Sequence, residues 1–348
     1  MGSRYRLILM KAMLLKRISS FQDNPEPLAS VSVPVPEPAA DEVLIRINAC
    51  GVCHTELDEI EGRTPPSELP MIPGHEVIGR VAGKGDRVTR LETGDRVGVG
   101  WIFKSTGDDN ENISNEFIAT GRDANGGYAE YMTVHECYAY RIPDCFTDYE
   151  AAPLLCAGSV GYRALGLTNI RNGNILGLTG FGASGHLVLQ LARYLYPKSP
   201  VYVFARNPEE RKYAIELGAA WAGDTDDKPS EQPHVIIDTT PAWRPVLAAL
   251  KCLRPGGRLV INAIRKEDAD KSLMATIDYA EHLWQEKELK SVANVTSHDI
   301  KAFLEIAAEA GIRPEVQVYP LNEANKALRE LRAGDVRGAK VLAIGDGD

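Results

Sequence analysis

Asn174-Ile175-Leu176-Gly177-Leu178-Thr179 is a short apolar run, and Gly180-Phe181-Gly182-Ala183-Ser184-Gly185 follows it directly. The run has the length and character of a buried strand. Three glycines then appear in the spacing Gly-x-Gly-x-x-Gly, and Leu187 to Leu195 reads as a helix beginning near Ser184. A strand, a glycine turn and a helix N-terminus in that order present backbone N–H groups to a pyrophosphate. Gly180, Gly182, Ala183, Ser184 and Gly185 are therefore candidate cofactor-binding residues. Such a triplet by itself arises by chance, so its surroundings decide its weight.

Those surroundings keep the same rhythm. Val201 to Ala205, His234 to Asp238 and Arg258 to Asn262 are short apolar runs, and Pro208 to Leu217 and Ala242 to Leu253 are helical stretches between them. That alternation predicts a parallel sheet with helices on both faces. An acid that holds an adenosine ribose 2′-hydroxyl is expected about twenty residues after the glycines. Ala205 stands there, followed by Arg206. An Asp here would repel a 2′-phosphate, whereas Ala205 makes room for one and the Arg206 guanidinium could bind it. The pair favours NADP(H) over NAD(H). The plainer alternative has Arg206 solvated at a strand end, its charge blunted by Glu209 and Glu210.

The rest of the chain is patterned differently. Val31 to about Pro143 reads as short strands with turns, and Glu42 to Asn48 alternates in the β manner. Gly85-Asp86-Arg87-Val88 and Gly94-Asp95-Arg96-Val97 each read as a turn entering a strand. From about His298 the order is helix, strand, helix, strand, ending at Val341 to Ile344, and this tail is expected to rejoin the first domain. A chain of 348 residues, 44% of them hydrophobic, has room for two such domains.

Bulk properties exclude other classes. With 39 basic and 48 acidic residues the net charge is −9, which argues against a nucleic-acid surface. No apolar run approaches the roughly 20 residues of a membrane span. Met1 to Lys16 lacks the long apolar core and small-residue cleavage site of an export signal, and Met10 or Met13 would serve as an alternative start. A cytoplasmic location is expected, with the six cysteines (50, 53, 137, 145, 156 and 252) reduced.

Cys53, His75 and Cys156 are two thiols and an imidazole, the side chains that hold a catalytic zinc with its fourth position open. His75 follows Pro73-Gly74 at a tight backbone site, and its neighbour Glu76 is expected to point elsewhere. Singly, each has a plainer reading: a buried Cys packs as a small hydrophobe, and a lone His is usually a hydrogen-bonded core residue. Together with the dinucleotide fingerprint, they point to hydride transfer at an alcohol carbon.

Gly74-His75-Glu76 with Gly79, Gly85 and Val88, and the stretches Cys53-His54-Thr55 and Cys156-Ala157-Gly158, resemble the zinc-dependent alcohol dehydrogenases of the medium-chain dehydrogenase/reductase family. The resemblance covers nearly the whole chain. It implies a β-rich GroES-like catalytic domain (1–158 and 296–348) around a Rossmann coenzyme domain (159–295), with the active site in the cleft between them. It also implies that Cys53, His75 and Cys156 are zinc ligands and that Glu76 is a nearby carboxylate able to move onto the metal. Glu56 would support the zinc histidine, and His54 would lie beside the cofactor pyrophosphate. Thr55 would be the catalytic hydroxyl that bonds the substrate oxygen and begins a proton relay.

The chain departs from that family in two places. Many relatives continue the relay through a histidine five residues after the first cysteine. Here that position is Asp58, read as a surface residue, with the relay passing instead through a cofactor ribose hydroxyl and water. Many relatives also carry four cysteines that bind a structural zinc. Gly98 to Val134 has none, and Asp108, Asp109, Asn110, Glu111 and Asn112 read as a solvated loop. One zinc per subunit follows. The substrate is an alcohol or aldehyde of unread identity, with Trp101, Phe103 and Trp284 as candidates for an aromatic-accepting pocket. Leu289 to Val295 could pair edge strands between subunits, giving a dimer or tetramer. The alternatives are a zinc-free enone or quinone reductase of the same superfamily and a non-enzymatic cofactor-binding protein.

Overall fold

The computed structural model describes residues 8–334 and 338–345. The chain forms two compact units, one of residues 1–156, 296–304 and 315–348, the other of residues 157–295 and 305–314.

The first unit is built on strands. In chain order they are β1 (Leu9–Leu15), β2 (Leu28–Pro34), β3 (Glu42–Val52), β4 (Val77–Lys84), β5 (Arg96–Val99), β6 (Ile102–Lys104), β7 (Ile118–Ala119), β8 (Tyr131–His135) and β9 (Ala139–Arg141). Helix α1 (His54–Ile60) lies between β3 and β4, and α2 (Asp148–Pro153) follows β9. β1 and β2 form an antiparallel hairpin, and β6 pairs with β7. β3 is the spine of the main sheet, flanked by β4 and β8. Its first half alternates between buried and partly exposed residues, and from Ile47 to Val52 it is buried throughout. A strand covered on both faces carries its last residues into the interior, and that is where Cys53 begins α1.

The two Gly-Asp-Arg-Val copies differ. The second enters β5 at Arg96, as expected. The first leaves β4, and no strand follows it before Arg96. Its backbone groups are already used: Gly85 N–H donates to the Glu42 carbonyl at 2.9 Å and Arg87 N–H to that of Ala40 at 2.7 Å.

The second unit has the predicted alternation: α3 (Ser159–Leu167), β10 (Leu176–Thr179), α4 (Ala183–Leu195), β11 (Val201–Phe204), α5 (Pro208–Glu216), β12 (Trp221–Gly223), β13 (Val235–Asp238), α6 (Arg244–Cys252), β14 (Arg258–Ile261), α7 (Tyr279–His282) and β15 (Glu288–Ser291). All six strands are parallel, in the order β12-β11-β10-β13-β14-β15. The order turns back between β10 and β13, the place where such sheets open a ligand crevice beyond their carboxyl ends. Ile236 and Leu259 of the sheet pack with Val246, Ala249, Leu250 and Leu253, which α6 and its end supply. β12 has three residues, too few to show a strand period. β15 overlaps the Leu289 to Val295 segment expected to form an edge strand, and it is the last strand of its sheet, with every residue exposed.

The tail forms α8 (Ser297–Ala310), β16 (Val316–Pro320), α9 (Ala324–Ala333) and β17 (Ala339–Ala343). β17 pairs antiparallel with β3 and parallel with β16, which completes the main sheet of the first unit.

Candidate active site

Cys53, His75, Glu76 and Cys156 come together in the first unit. One ligand atom from each lies within 4.8 Å of all the others. Three local structures bring this about.

Cys53 caps the N-terminus of α1. Its sulfur accepts from Thr55 N–H at 3.3 Å, and its own N–H donates to Glu56 Oε2 at 2.9 Å. This reciprocal cap fixes both residues at the end of β3. The other oxygen of Glu56, Oε1, lies 2.6 Å from His75 Nδ1. A carboxylate at Nδ1 keeps the proton there and leaves the Nε2 lone pair free. Nε2 faces the Cys53 sulfur at 3.6 Å.

His75 is placed by Gly74, whose φ of +100° disfavours a side chain, and whose position would drive a Cβ to 2.4 Å from the Tyr128 ring. As the neighbour of His75, Glu76 is expected to point elsewhere, whereas the family resemblance puts it beside the metal; in the structure it points into the cluster. Residues 73–76 are outside any strand, so strict alternation does not apply. Gly51 makes the room: a Cβ there would lie 1.8 Å from Glu76 Oε2.

Cys156 stands in a π-helical turn, Leu154–Gly158, between α2 and α3. Such widened turns are frequent at functional sites because the extra residue re-aims a side chain. Pro153 precedes it, which removes an N–H from the regular ladder.

The donor set suits a divalent cation. Burial raises the Glu76 carboxyl to about 8. A hydrogen bond with Cys156, then burial and repulsion from Glu56, hold the Cys53 thiol well above its ordinary value. The same bond would lower Cys156, but burial and the carboxylates outweigh it and the thiol is raised. Burial alone would lower His75, yet Glu56 and Cys53 raise it well above the ordinary imidazole value. Glu59, buried one turn after Glu56, is raised by burial and by Glu56. All these shifts record a buried pocket short of positive charge. A bound cation inverts that balance and favours thiolate and carboxylate. Two thiols, an imidazole and a carboxylate also match the ligand chemistry of zinc. Glu59 was not singled out in the sequence, although its position three residues after Glu56 puts it on the same face of α1.

Other expected residues are placed as follows. Thr55 is buried in the first turn of α1, and His54 is exposed beside it. Asp58 is not a surface residue. It is 7% exposed and is paired with Arg63 Nε at 2.5 Å. The short helix turns Asp58 inward, and the guanidinium neutralises it there. Trp101 lies beside His75, with 6.3 Å between ring centroids, and packs on Phe117 and beneath Arg122. Phe103 lines a separate, mainly apolar cavity of about 410 Å³ with Met10, Leu14 and Met132. Trp284 is 55% exposed in the second unit and meets Tyr279 edge-on. The Asp108–Asn110 stretch is exposed, as a solvated loop should be, but Glu111 and Asn112 are buried. Glu111 is a structural strut: it accepts from the Tyr138 hydroxyl at 2.9 Å and from Ser297 N–H at 2.5 Å. Among the described residues, no other group of three or more His, Cys, Asp and Glu side chains converges as a metal site.

In the second unit the glycine turn has the anticipated form. Gly180 has φ +79° and a Cβ there would lie 2.9 Å from Thr239 Oγ1. Gly182 is the N-cap of α4, and a Cβ on it would meet nothing within 4 Å, so its Cα side is open to a ligand. Ala205 is buried at the end of β11 and Arg206 is exposed. The Ala205 and Arg206 carbonyls both accept from Arg211 Nη1, at 2.7 and 2.8 Å. Glu210, half-buried on α5, lies near Arg206 and accepts from Phe181 N–H in the glycine turn. Burial raises its carboxyl.

Known proteins share both halves. Residues 39–144 match the alcohol dehydrogenase GroES-like domain, and residues 183–309 match the zinc-binding dehydrogenase domain. A probable alcohol dehydrogenase, AdhA, of Mycobacterium tuberculosis is 40% identical over 91% of this chain and 93% of its own. A probable cinnamyl alcohol dehydrogenase, 8A, of Oryza sativa subsp. japonica is 32% identical over 87% and 88%. The fold is shared with a solved structure from Helicobacter pylori, a CAD complexed with NADP(H), at a TM-score of 0.82, 21% identity, and coverage of 97% and 98%. A GroES-like unit joined to a Rossmann unit defines a medium-chain dehydrogenase. The chain belongs to the zinc-binding alcohol dehydrogenases of that superfamily, nicotinamide-dependent enzymes that interconvert alcohols with aldehydes or ketones. Among the described residues no helix is long and apolar enough to cross a membrane.

Proposed function

We propose that this enzyme reduces aldehydes or ketones, and oxidises the matching alcohols, with NADP(H) and one zinc ion per subunit. The observation that carries the zinc assignment is the convergence of four donor atoms within 4.8 Å in a pocket short of positive charge. Cys53, His75 and Cys156 would hold the metal, with Glu76 as the exchangeable fourth donor. When bound, zinc supplies Lewis acidity at a substrate oxygen, and the nicotinamide supplies or accepts the hydride.

The protein's part is positioning and proton transfer. Glu56 fixes the His75 ring and the Cys53 backbone together, so the two ligands cannot drift apart. The Thr55 hydroxyl donates to or accepts from the substrate oxygen and passes the proton outward. Asp58, held by Arg63, takes no part in that relay. The ring of Trp101 beside His75 gives the site an aromatic wall. This supports aromatic and other bulky apolar aldehydes, in keeping with the name of the rice relative.

Gly180, Gly182, Ala183, Ser184 and Gly185 would cradle the pyrophosphate, and His54 would approach it. Arg206, exposed beyond Ala205 with no acid in that position, supports NADP(H). A cytoplasmic homodimer or homotetramer completes the proposal. The outer edge of β15, the last strand of its sheet with every residue exposed, suits pairing with a second copy.

Elemental analysis of dialysed protein, with NADPH oxidation on a panel of aliphatic and aromatic aldehydes, tests this reading. One zinc per chain and turnover of aromatic aldehydes are expected. Two zincs per chain, or enone reduction unaffected by metal removal, would overturn it.

A further inference from the structure

Away from the four metal-type side chains, the second unit buries a charge pair at a telling place. Asp238, the last residue of β13, is fully buried. Its Oδ1 accepts from the Thr179 hydroxyl at 2.5 Å and the Thr240 hydroxyl at 2.8 Å. Its Oδ2 is paired with Lys266 Nζ, whose side chain is 7% exposed. Lys266 Nζ also donates to the Thr240 carbonyl at 2.6 Å. Thr179 and Asp238 are register partners on β10 and β13, so the cluster sits at the carboxyl ends of the two strands where the sheet order turns back.

The segment after β14 is fastened to the turn after β13 along its length. Asn262 N–H donates to the Asp238 carbonyl at 2.7 Å, and Glu267 N–H to that of Pro241 at 2.8 Å. Lys266 closes the gap between these two points. The fastened turn is in turn the floor beneath Gly180: Thr239 N–H and its hydroxyl both donate to the Thr179 carbonyl at 2.9 Å. At Gly180 the ideal Cβ position lies 2.9 Å from Thr239 Oγ1 and 3.0 Å from Thr240 Cγ2. Asn262 is itself buried, and its side-chain nitrogen has no hydrogen-bond partner among the described residues. An unpaired donor at this edge fits a surface that faces a ligand.

We propose that Lys266 is a positioning residue for the coenzyme. It neutralises Asp238 and tethers the Thr240 carbonyl, and so holds the 238–241 turn in contact with the first glycine of the phosphate-binding loop. A buried carboxylate with two hydroxyl donors could be satisfied by hydrogen bonds alone. The cation adds a link that those bonds cannot make, because it reaches Asp238 and Thr240 together from a third segment of chain. This rests on the reading that Gly180 to Gly185 bind the coenzyme.

The test is direct titration of NADPH and NADH fluorescence against the full-length protein, with thermal unfolding alongside. Lys266→Met strands a buried charge and is expected to lose stability. The double variant Asp238→Asn/Lys266→Met removes both charges, keeps the acceptor for the two threonines, and is expected to fold. It should bind both coenzymes about tenfold or more weakly, in line with loss of a charged hydrogen bond. The aldehyde KM should be unchanged. The two coenzymes should be affected alike, because the tether acts on the loop and not on the 2′-phosphate. Gly182→Val is the control, since its Cα side is open in the protein. If it abolishes coenzyme binding while the double variant binds as wild type does, Lys266 serves stability alone and the proposal falls. If Gly182→Val binds normally, the assignment of the coenzyme loop is wrong and takes this inference with it.

Discussion

Single side chains divide the chemistry of this protein into separable parts. Thr55→Val keeps the shape of a buried residue in the first turn of α1 and removes only its hydroxyl. It is expected to lower kcat by about 10²–10⁴-fold with zinc content unchanged. Asp58→Asn breaks the half-buried pair with Arg63, so its effect should appear in thermal stability, with kcat altered far less. Steady-state kinetics on both variants would reverse this ranking if Asp58→Asn lost more turnover than Thr55→Val. In the second unit Arg206→Ala should weaken NADPH binding by about 10- to 150-fold, the span of a charged hydrogen bond, and leave NADH nearly untouched. Glu210 shares the neighbourhood of Arg206, so the measured loss belongs near the low end of that span. Equal losses for both coenzymes would assign Arg206 to the strand end and not to a phosphate.

Elements explain why those side chains meet. The capping turn of α1 after β3, the irregular backbone at 73–76 and the π-helical turn at 154–158 are all departures from regular structure: the first delivers Cys53, the second His75 and Glu76, and the third Cys156. Gly74 is the most demanding of them, with its positive φ and a Tyr128 ring where a Cβ would lie. Gly74→Ala should therefore cost about 2 kcal/mol or more in urea unfolding, from strain and overpacking together. It should also lower the zinc content, because His75 is displaced. A variant with wild-type stability and full zinc would show that the turn is softer than its geometry. The same scale explains what the sequence concealed. Helical and strand periods made α4, α5, α6, β10, β11, β13 and β14 readable. β12 is too short to show a period, and the first Gly-Asp-Arg-Val copy spends its N–H groups on residues 40–42.

For the molecule as a whole, metal and coenzyme should act as stabilising ligands through mass action. Removing zinc with a chelator leaves two half-buried thiols and three buried carboxyls around one imidazole. The melting temperature should fall and recover when zinc is restored. Saturating NADPH, at about 100 times its Kd, should add about 2.7 kcal/mol of stability. A melting temperature insensitive to chelation would remove zinc from the account. What the sequence by itself determined was the class of each half: the glycine fingerprint in a strand–helix alternation, and a set of Cys and His residues of zinc type, are local patterns that need no partner to be recognised. The placement of the ligands is a different matter. Asp58 turned inward onto Arg63, Glu111 became a strut, and Lys266 found Asp238, because each outcome depends on which distant backbone lies opposite. Gly51 beneath Glu76 and Thr240 beside Lys266 are neighbours only after folding. A carboxylate or an ammonium reads the same in sequence whether it will be solvated or buried, and only the tertiary structure supplies the partner that decides.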